Sequence, residues 1–239
     1  MKIHKISPIL LIILLISSWS DVAAQRRTPE NLPKYDLAPY HFGFILGLNQ
    51  MHFTVKNVKD FERQDSVYAV LAEPEMGFHI GIVSNLRLGD YWDLRFIPSL
   101  AFGERSMVFT RAIKDTVFFD TRKKVESTYL DFPFYLKYKS KRLHNARAYV
   151  ISGFKYSVDL ASQAKKKEQD EEIRIKLKKN DVAFEFGVGF DFYTTYFKFG
   201  TEIKMSYGLR DILKHEANVF TSNIQKLNSK IFQFTLTFE

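Results

Sequence analysis

Short segments in which apolar and polar residues alternate with period two run from about Tyr40 to the last residue of the chain. The clearest covers Val182 to Phe192, where alternate residues are Val or Phe and the residues between them include Asp, Glu and Gly. Such alternation predicts a β-strand with one apolar and one polar face. Seven other segments repeat the pattern, with apolar faces that run through Phe42–Leu48, Phe78–Leu88, Trp92–Phe102, Leu130–Tyr138, Val150–Val158, Phe197–Met205 and Phe232–Phe238.

The connections between the eight predicted strands alternate in length. Each strand has roughly ten residues, the length that a tilted strand needs to cross a bilayer. Short turns at one end and long loops at the other are typical of outer-membrane barrels. The sequence therefore predicts an all-β fold, an eight-stranded antiparallel transmembrane β-barrel with short periplasmic turns and four long extracellular loops. The loops are expected near Val55–Glu75, Arg111–Val125, Ala161–Asn180 and Gly208–Ser229.

Two prolines, Pro98 and Pro133, fall inside predicted strands. Proline lacks the N–H that a strand donates to its neighbour, and a closed barrel has no free edge at which this loss is harmless. We therefore expect a bulge or a strand end at each of them.

Glycine placement indicates which face of the barrel lies inside. Ten of the eleven glycines share the polar parity, and the remaining one, Gly89, falls in a turn. A soluble lipocalin-like barrel would also alternate, but small residues belong on the crowded concave side of a narrow barrel. The polar face is therefore predicted to line the interior, and the Phe and Leu face to contact lipid.

The charges on the polar face favour a filled interior. Seven basic and seven acidic residues share this parity, and a balanced set suits an occluded lumen because an unpaired buried charge is costly. An eight-stranded barrel leaves an interior that side chains just fill. We expect a structural network and a plug, rather than an ion or proton path. Its central members are predicted to be Arg87, Arg95, Asp131, Lys137, Lys155, Glu185, Glu202 and Lys204.

The N-terminal residues have the features of a secretory signal. Lys2 and Lys5 precede an apolar stretch, and Val22-Ala23-Ala24 precedes Gln25, so we expect cleavage between Ala24 and Gln25. The predicted organisation is a signal peptide at 1–24, a periplasmic lead-in at 25–39 and an outer-membrane barrel at 40–239. The lead-in is expected to be extended because it contains three prolines and no periodicity.

Composition narrows the possible partners. The formal charge of +8 falls to +7 without the signal, which carries Lys2, Lys5 and Asp21. An exported basic chain meets anionic lipid headgroups or acidic partners rather than nucleic acid. There are no cysteines, so disulfides are excluded. The predicted location is the cell outer membrane, with outer-membrane lipids and lipopolysaccharide as contacts.

Few residues suggest chemistry. Some eight-stranded barrels modify lipids through His, Ser and Asp near the outer rim, but the spacing of His52, Asp60 and Ser66 does not demand catalysis. The remaining histidines are scattered and form no metal-ligand cluster, so no cofactor or metal is expected. The basic run that begins at Lys165 is interpreted as a solvated loop rather than a lipopolysaccharide site. Aromatic residues near the short turns predict a periplasmic girdle: Tyr40, Tyr91, Trp92, Tyr138, Tyr193 and Tyr196.

Six motifs stand out along the chain: Asn31-Leu32-Pro33-Lys34-Tyr35-Asp36, His41-Phe42-Gly43-Phe44, Gly77-Phe78-His79-Ile80-Gly81, Asn85-Leu86-Arg87-Leu88-Gly89, Leu94-Arg95-Phe96-Ile97-Pro98 and Leu130-Asp131-Phe132-Pro133. Together they resemble the PorT family, outer-membrane proteins of the type IX (Por) secretion system. The resemblance implies a non-enzymatic barrel needed for export and surface delivery of cargo with a C-terminal signal, and in some relatives for gliding motility. Its partners would be other outer-membrane and periplasmic components of that system. No catalytic residues carry over.

Two alternatives stay open at this point. One is a surface adhesion or ligand-binding barrel without a secretion role, and the other is a lipid-modifying outer-membrane enzyme. For the secretion role, the candidate periplasmic contact is the basic turn formed by Lys139, Lys141 and Arg142.

Overall fold

The computed structural model of the chain describes residues 29–58, 67–113, 117–161, 176–215, 221 and 223–239. Contacts divide the chain into two units, Met1–Glu30 and Asn31–Glu239. In the first unit only Pro29 and Glu30 belong to the described residues. Among the described residues, no helix combines the length and the apolar content needed to cross a membrane.

The second unit is built around one antiparallel sheet. Its strands are β1 (Tyr40–Asn57), β2 (Val67–Arg87), β3 (Trp92–Phe96), β4 (Ser99–Ile113), β5 (Val117–Lys139), β6 (Ala146–Asp159), β7 (Asn180–Tyr193), β8 (Lys198–Gly208) and β9 (Ile224–Phe238). The first strand pairs with both β2 and β9, so the sheet closes on itself. Strands β3 and β4 both lie between β2 and β5. The nine segments therefore occupy eight positions around a barrel, and the predicted antiparallel barrel fold is confirmed.

The break between β3 and β4 lies at Ile97 and Pro98, so the expected strand end at Pro98 is found. The expectation for Pro133 is wrong, because β5 runs through it without a shift in its register with β6. The Pro133 carbonyl accepts a hydrogen bond from the Ile97 N–H at 3.4 Å. Its missing N–H would have donated to Ile97 in such a pair. The gap between β3 and β4 thus accommodates both prolines, because Pro98 lies in the gap and Pro133 lies opposite it.

The apolar face points outward, as the glycine placement predicts. Phe186, Val188 and Phe190 on β7 are half exposed, whereas Glu185, the residue before Phe186, is fully buried. The same alternation holds on β1, where Phe42, Phe44, Leu46 and Leu48 are exposed; these residues and their equivalents on the other strands form an apolar belt. Of the predicted aromatic girdle, Tyr193 is an exception, because it points inward and is buried.

Several strands continue beyond this belt at one end. Strand β5 has 23 residues, roughly 75 Å at ~3.3 Å per residue, while the apolar band of an outer-membrane barrel is ~25 Å tall. The predicted loop Arg111–Val125 is therefore mostly strand, because β4 reaches Ile113 and β5 begins at Val117. The predicted loop Val55–Glu75 is also shorter than expected, because β1 continues to Asn57 and β2 begins at Val67. We call this the long-loop end; the opposite, short-turn end holds residues 31–39, 88–91, 140–145 and 194–197.

Candidate functional site

The middle of the barrel interior is organised around Lys155 on β6. Its Nζ lies 3.1 Å from the Asp131 carboxylate and 2.8 Å from the Glu185 carboxylate. The Tyr135 hydroxyl donates a hydrogen bond to Glu185. These four residues come from β5, β6 and β7, and all of them are buried. Their inward parity results from the alternation that places Phe134, Phe154 and Phe186 outside.

A second group is centred on Glu202 of β8. Its carboxylate lies 2.8 Å from Lys204 Nζ and 3.4 Å from the Arg95 guanidinium. It also accepts a hydrogen bond of 2.9 Å from the Tyr149 hydroxyl. A Cβ on Gly189 would overlap the Tyr149 ring, so that glycine makes room for the tyrosine.

Four further ion pairs continue toward the short-turn end. Lys137 Nζ lies 2.7 Å from Asp191, and the Lys198 and Arg95 side chains each lie 2.6 Å from the Glu239 carboxylate. A cross-strand pair joins Lys139 to Asp93 at 2.6 Å. Glu239 thus neutralises two cations inside the barrel.

Charge inside the barrel is balanced. Among the described residues, eight basic and eight acidic side chains are buried there: Arg95, Arg105, Lys137, Lys139, Arg147, Lys155, Lys198 and Lys204 against Asp93, Asp131, Asp159, Asp181, Glu185, Asp191, Glu202 and Glu239. Near Lys155 they leave a cavity of about 10 Å³, roughly the room for one water molecule. This stretch of the interior is filled by side chains.

Seven of the eight residues predicted for the charge network lie in this buried interior. Arg87 does not, because it sits at the short-turn end and pairs with the exposed Asp90 at 2.5 Å. Arg87 shares the inward parity of β2, but the strand ends at that residue, so its side chain lies outside the closed interior. The predicted charge network did not include Lys139 and Glu239. Both follow the inward parity of a strand, β5 for Lys139 and β9 for Glu239, so the alternation could have identified them.

Residues 31–39, the part of the predicted lead-in that belongs to the second unit, close the short-turn end of the barrel. Tyr35 stacks on His41 with ring centroids 4.1 Å apart, and its hydroxyl donates to Glu239 at 3.1 Å. Asp36 pairs with Arg147 at 2.8 Å and accepts a hydrogen bond of 2.9 Å from the inward-pointing Tyr193. The lead-in is not extended as expected, because Tyr35–Leu37 form a 3-10 turn.

Charge interactions hold the Asp36 carboxylate in this position. Burial raises the pKa of its carboxyl group, but the Arg147 guanidinium and the Tyr193 hydroxyl outweigh that effect and hold the pKa below the ordinary value of 3.8. The carboxylate is therefore the form that the folded lead-in prefers.

The basic turn predicted as a periplasmic contact is largely engaged within the molecule. Lys139 is buried against Asp93, so it is not available at the surface as predicted. Arg142 donates to the carbonyl oxygens of Asn31 and Leu32, and its guanidinium lies 3.7 Å from the Tyr193 ring centroid. Its side chain fastens the lead-in to the 140–145 turn. Only Lys141 of the three is exposed.

Apolar side chains close the long-loop end. We call this cluster the apolar cap; it consists of Phe53, Val70, Met107, Phe109, Leu177, Ile212, Leu213, Ile224 and Leu227. Beneath it, Arg105 donates to Ser127 at 2.7 Å and to Ser229 at 3.2 Å, and it lies 4.4 Å from the centroid of the Phe53 ring. The cap combines strand residues with residues of two loops, so strand alternation alone could not reveal it.

The two loops are joined by backbone hydrogen bonds. Leu177 and Leu213 form an isolated antiparallel bridge, and the Lys178 N–H donates to the Ile212 carbonyl at 2.8 Å. Asp211 accepts hydrogen bonds from the N–H groups of Leu213 at 3.2 Å and Leu227 at 2.9 Å. Burial raises the pKa of the Asp211 carboxyl group, but these N–H groups, the hydrogen bond to His215 and the charge of Lys178 hold it below the ordinary value.

The residues considered for lipid modification do not form a described site. His52 Nε2 lies 3.2 Å from the Ala72 carbonyl oxygen, whereas Asp60 and Ser66 lie outside the described residues, as do the cleavage site Ala24–Gln25 and the run Lys165–Glu172. Within the part of the chain that is described, no three His, Asp or Glu side chains are grouped to hold a metal ion.

Comparison with known proteins identifies the family of the chain. No curated protein matches the chain. The chain is similar to the crystal structure of the outer membrane protein OprG from Pseudomonas aeruginosa, with 12% identity and a TM-score of 0.47, over 84% of this chain and 94% of that one. The family model for the outer membrane protein beta-barrel domain matches residues 23–214. The chain belongs to that family and is an outer-membrane β-barrel protein.

Proposed function

We propose that this barrel is a non-enzymatic outer-membrane subunit required for type IX protein secretion, as a member of the PorT family. The observation that carries the proposal is the sequence resemblance in Asn31–Asp36 and along β1, β2, β3 and β5. In the structure, Asn31–Asp36 is the segment that docks in the short-turn end through Tyr35 and Asp36. Tyr35 and Asp36 each make a specific contact there, and these contacts restrict the residue types that can stand at the two positions. The docking therefore gives a physical reason for this motif of the family.

The filled interior supports a subunit that acts through its surfaces. Lys155, Glu185 and Asp131 occupy the middle of the lumen, and the lead-in and the apolar cap cover its two ends. Cargo does not fit through such an interior. In this proposal the barrel supports secretion by contact with larger components at the periplasmic, short-turn end. Lys141 and Leu143 are exposed there, and Leu143 is 73% exposed.

The test is removal of the protein from its host, followed by complementation. Without the barrel, cargo that carries a C-terminal signal should accumulate in the periplasm, and the wild-type chain should restore its delivery to the surface. Immunoblots of periplasmic and surface fractions measure the distribution. Unchanged delivery in the deletion strain would remove the secretion role.

A paired set of variants tests which end is used. Leu143→Asp alters the short-turn end, and Leu71→Asp alters an exposed leucine on the part of β2 beyond the apolar belt. We expect Leu143→Asp to reduce surface delivery several-fold, because a charge at the centre of an apolar contact weakens binding, and Leu71→Asp to leave delivery intact. Both side chains are exposed, so both variants should fold.

The second candidate is a surface ligand-binding barrel without a secretion role. The continuation of β2, β4 and β5 beyond the apolar belt favours it, because these strands build a surface at the extracellular end. In that case Leu71→Asp should reduce cell adhesion while Leu143→Asp changes nothing. Secretion and adhesion measurements on the same two strains therefore separate the two functions.

A further inference from the structure

A basic groove lies at the short-turn end, outside the closed interior. Five basic side chains line it: Arg87, Lys139, Lys141, Arg142 and Arg147. The acidic residues that line it are Asp36 and Asp90. The groove has a volume of about 220 Å³, which is below the ~300–1,000 Å³ of pockets for drug-sized ligands. Its size and charge suit a small anionic group.

The internal contacts leave donors in the groove unused. Arg147 is buried, and its Nε has no hydrogen-bond partner among the described residues although its two other guanidinium nitrogens bind Asp36. A buried N–H without a partner is uncommon in proteins. Asp90 neutralises Arg87, and Asp36 neutralises Arg147. Lys141 has an exposed side chain, so it can approach an anion without breaking an internal contact.

The groove is adjacent to the surface that meets the membrane. Tyr91 lines it and lies 6.4 Å from the Tyr138 ring, and Tyr138 packs against Trp92 at 4.8 Å. These three side chains point outward and are partly exposed. Outward aromatic residues near the end of a barrel mark the membrane interface. The exposed Leu37 adds an apolar wall.

We propose that the basic groove binds the phosphate headgroup of an anionic phospholipid from the leaflet at the short-turn end. Donors for the phosphate come from Arg87 and Lys141, while Tyr91 and Leu37 contact the glycerol region. Basic pockets at membrane surfaces recognise anionic headgroups in this way. The proposal is independent of the secretion role, because it concerns the isolated barrel in a bilayer.

The test uses the purified full chain in nanodiscs of phosphatidylcholine with a minor fraction of phosphatidylglycerol. Native mass spectrometry should show one phosphatidylglycerol retained on the wild-type barrel. The double variant Arg87→Gln/Lys141→Gln should retain it roughly 30-fold more weakly, about 2 kcal/mol. The matched control is Lys56→Gln, an exposed lysine at the opposite end of β1. It should behave as the wild type.

Competition on the wild-type protein separates the possible sources of the anion. Soluble glycerol phosphate should displace the lipid only at high concentration, because it lacks the acyl chains held by the bilayer. If inorganic phosphate or an acidic peptide binds as tightly as phosphatidylglycerol, the site is not a lipid site and the proposal fails. Equal retention of phosphatidylcholine and phosphatidylglycerol, or no loss in the double variant, would overturn it as well.

Discussion

At the short-turn end the barrel is closed by charged and hydrogen-bonding groups, whereas at the long-loop end it is closed by the apolar cap. The lead-in reaches Arg147, Tyr193 and Glu239 through ion pairs and hydroxyl groups. The cap instead packs Leu177 and Leu213 against strand residues such as Phe53 and Phe109. Polar contacts depend on direction and protonation, and apolar contacts depend mainly on buried area. The two ends should therefore respond differently to charge changes, truncation and acid.

The largest effect is expected from breaking an ion pair in the interior that both ends enclose. Lys137→Met leaves the Asp191 carboxylate without its closest cation, 2.7 Å away. Removal of one partner of a buried pair costs about 3–5 kcal/mol. Urea titration of the folded barrel in lipid vesicles measures the free energy of unfolding. Neither end should be able to compensate for this loss.

A matched control uses an ion pair in which both side chains are about half exposed. Lys124 lies 3.4 Å from Glu104, so Lys124→Met should change the free energy of unfolding by ~0–1 kcal/mol. The double variant Lys137→Met/Asp191→Leu should recover most of the stability, because an apolar replacement of a buried pair is often neutral. A single Lys137→Met variant as stable as the wild type would mean that the interior is hydrated enough to tolerate a lone carboxylate.

Truncation of the cap should loosen the long-loop end alone. Leu213 is fully buried, and replacement of such a leucine by alanine costs about 2–5 kcal/mol. Hydrogen exchange should accelerate at the N–H groups of Lys178 and Lys214, which cross the two loops. The Tyr35 and Ala38 N–H groups of the lead-in should exchange as before. The exposed Leu209 of the same loop provides the control, and Leu209→Ala should leave all these rates unchanged.

The difference between the ends also explains what the sequence could predict. Along β7 from Val182 to Phe192 one face meets the barrel interior and the other meets lipid, so the fold and the inward position of Glu185 follow from the alternation. In the part of β4 beyond the membrane the pattern fails, because Arg105, Ser106 and Met107 are all buried. Without lipid on one side, the period-two constraint on residue type is lost.

The contacts that close the two ends were harder to predict. Leu177 and Leu213 meet across two loops that are far apart in sequence, and no periodicity links them. The docking of Tyr35 and Asp36 depends on partners more than a hundred residues away. Lys139 and Arg142 share a basic turn in the sequence, yet one points into the barrel and the other holds the lead-in. Net charge alone cannot distinguish these roles.

Acid should release the lead-in. The pKa of Asp36 is lower in the folded protein than its ordinary value of 3.8, so its stabilising contribution is complete above that value and is lost as the pH falls through the folded pKa. The chain has no cysteines, so a nitroxide at Lys34→Cys is a unique probe of the lead-in. Its spectrum should be immobile at neutral pH and mobile at an acidic pH below the lowered pKa of Asp36, reflecting a loss of about 1–2 kcal/mol.

Asp36→Asn should give the mobile spectrum at both pH values, because the amide cannot form the ion pair with Arg147. A nitroxide at Lys214→Cys, at the long-loop end, is the control, and its spectrum should change less on acidification. If the label at position 34 stays immobile in the Asp36→Asn variant, the stacking of Tyr35 on His41 would hold the lead-in without the carboxylate.

The smallest effect is expected from the corresponding carboxylate at the apolar end. Asp211 also has a lowered pKa, but Asp211→Asn keeps an oxygen that can accept from Leu213 and Leu227 and loses only the charge near His215 and Lys178. Because both of those partners are about half exposed, the loss should be at most ~1 kcal/mol. Hydrogen exchange at Lys178 and Lys214 should therefore remain slow in this variant, whereas Leu213→Ala accelerates it. Rapid exchange in Asp211→Asn would mean that the long-loop end, like the short-turn end, is held by charge, and the contrast between them would disappear.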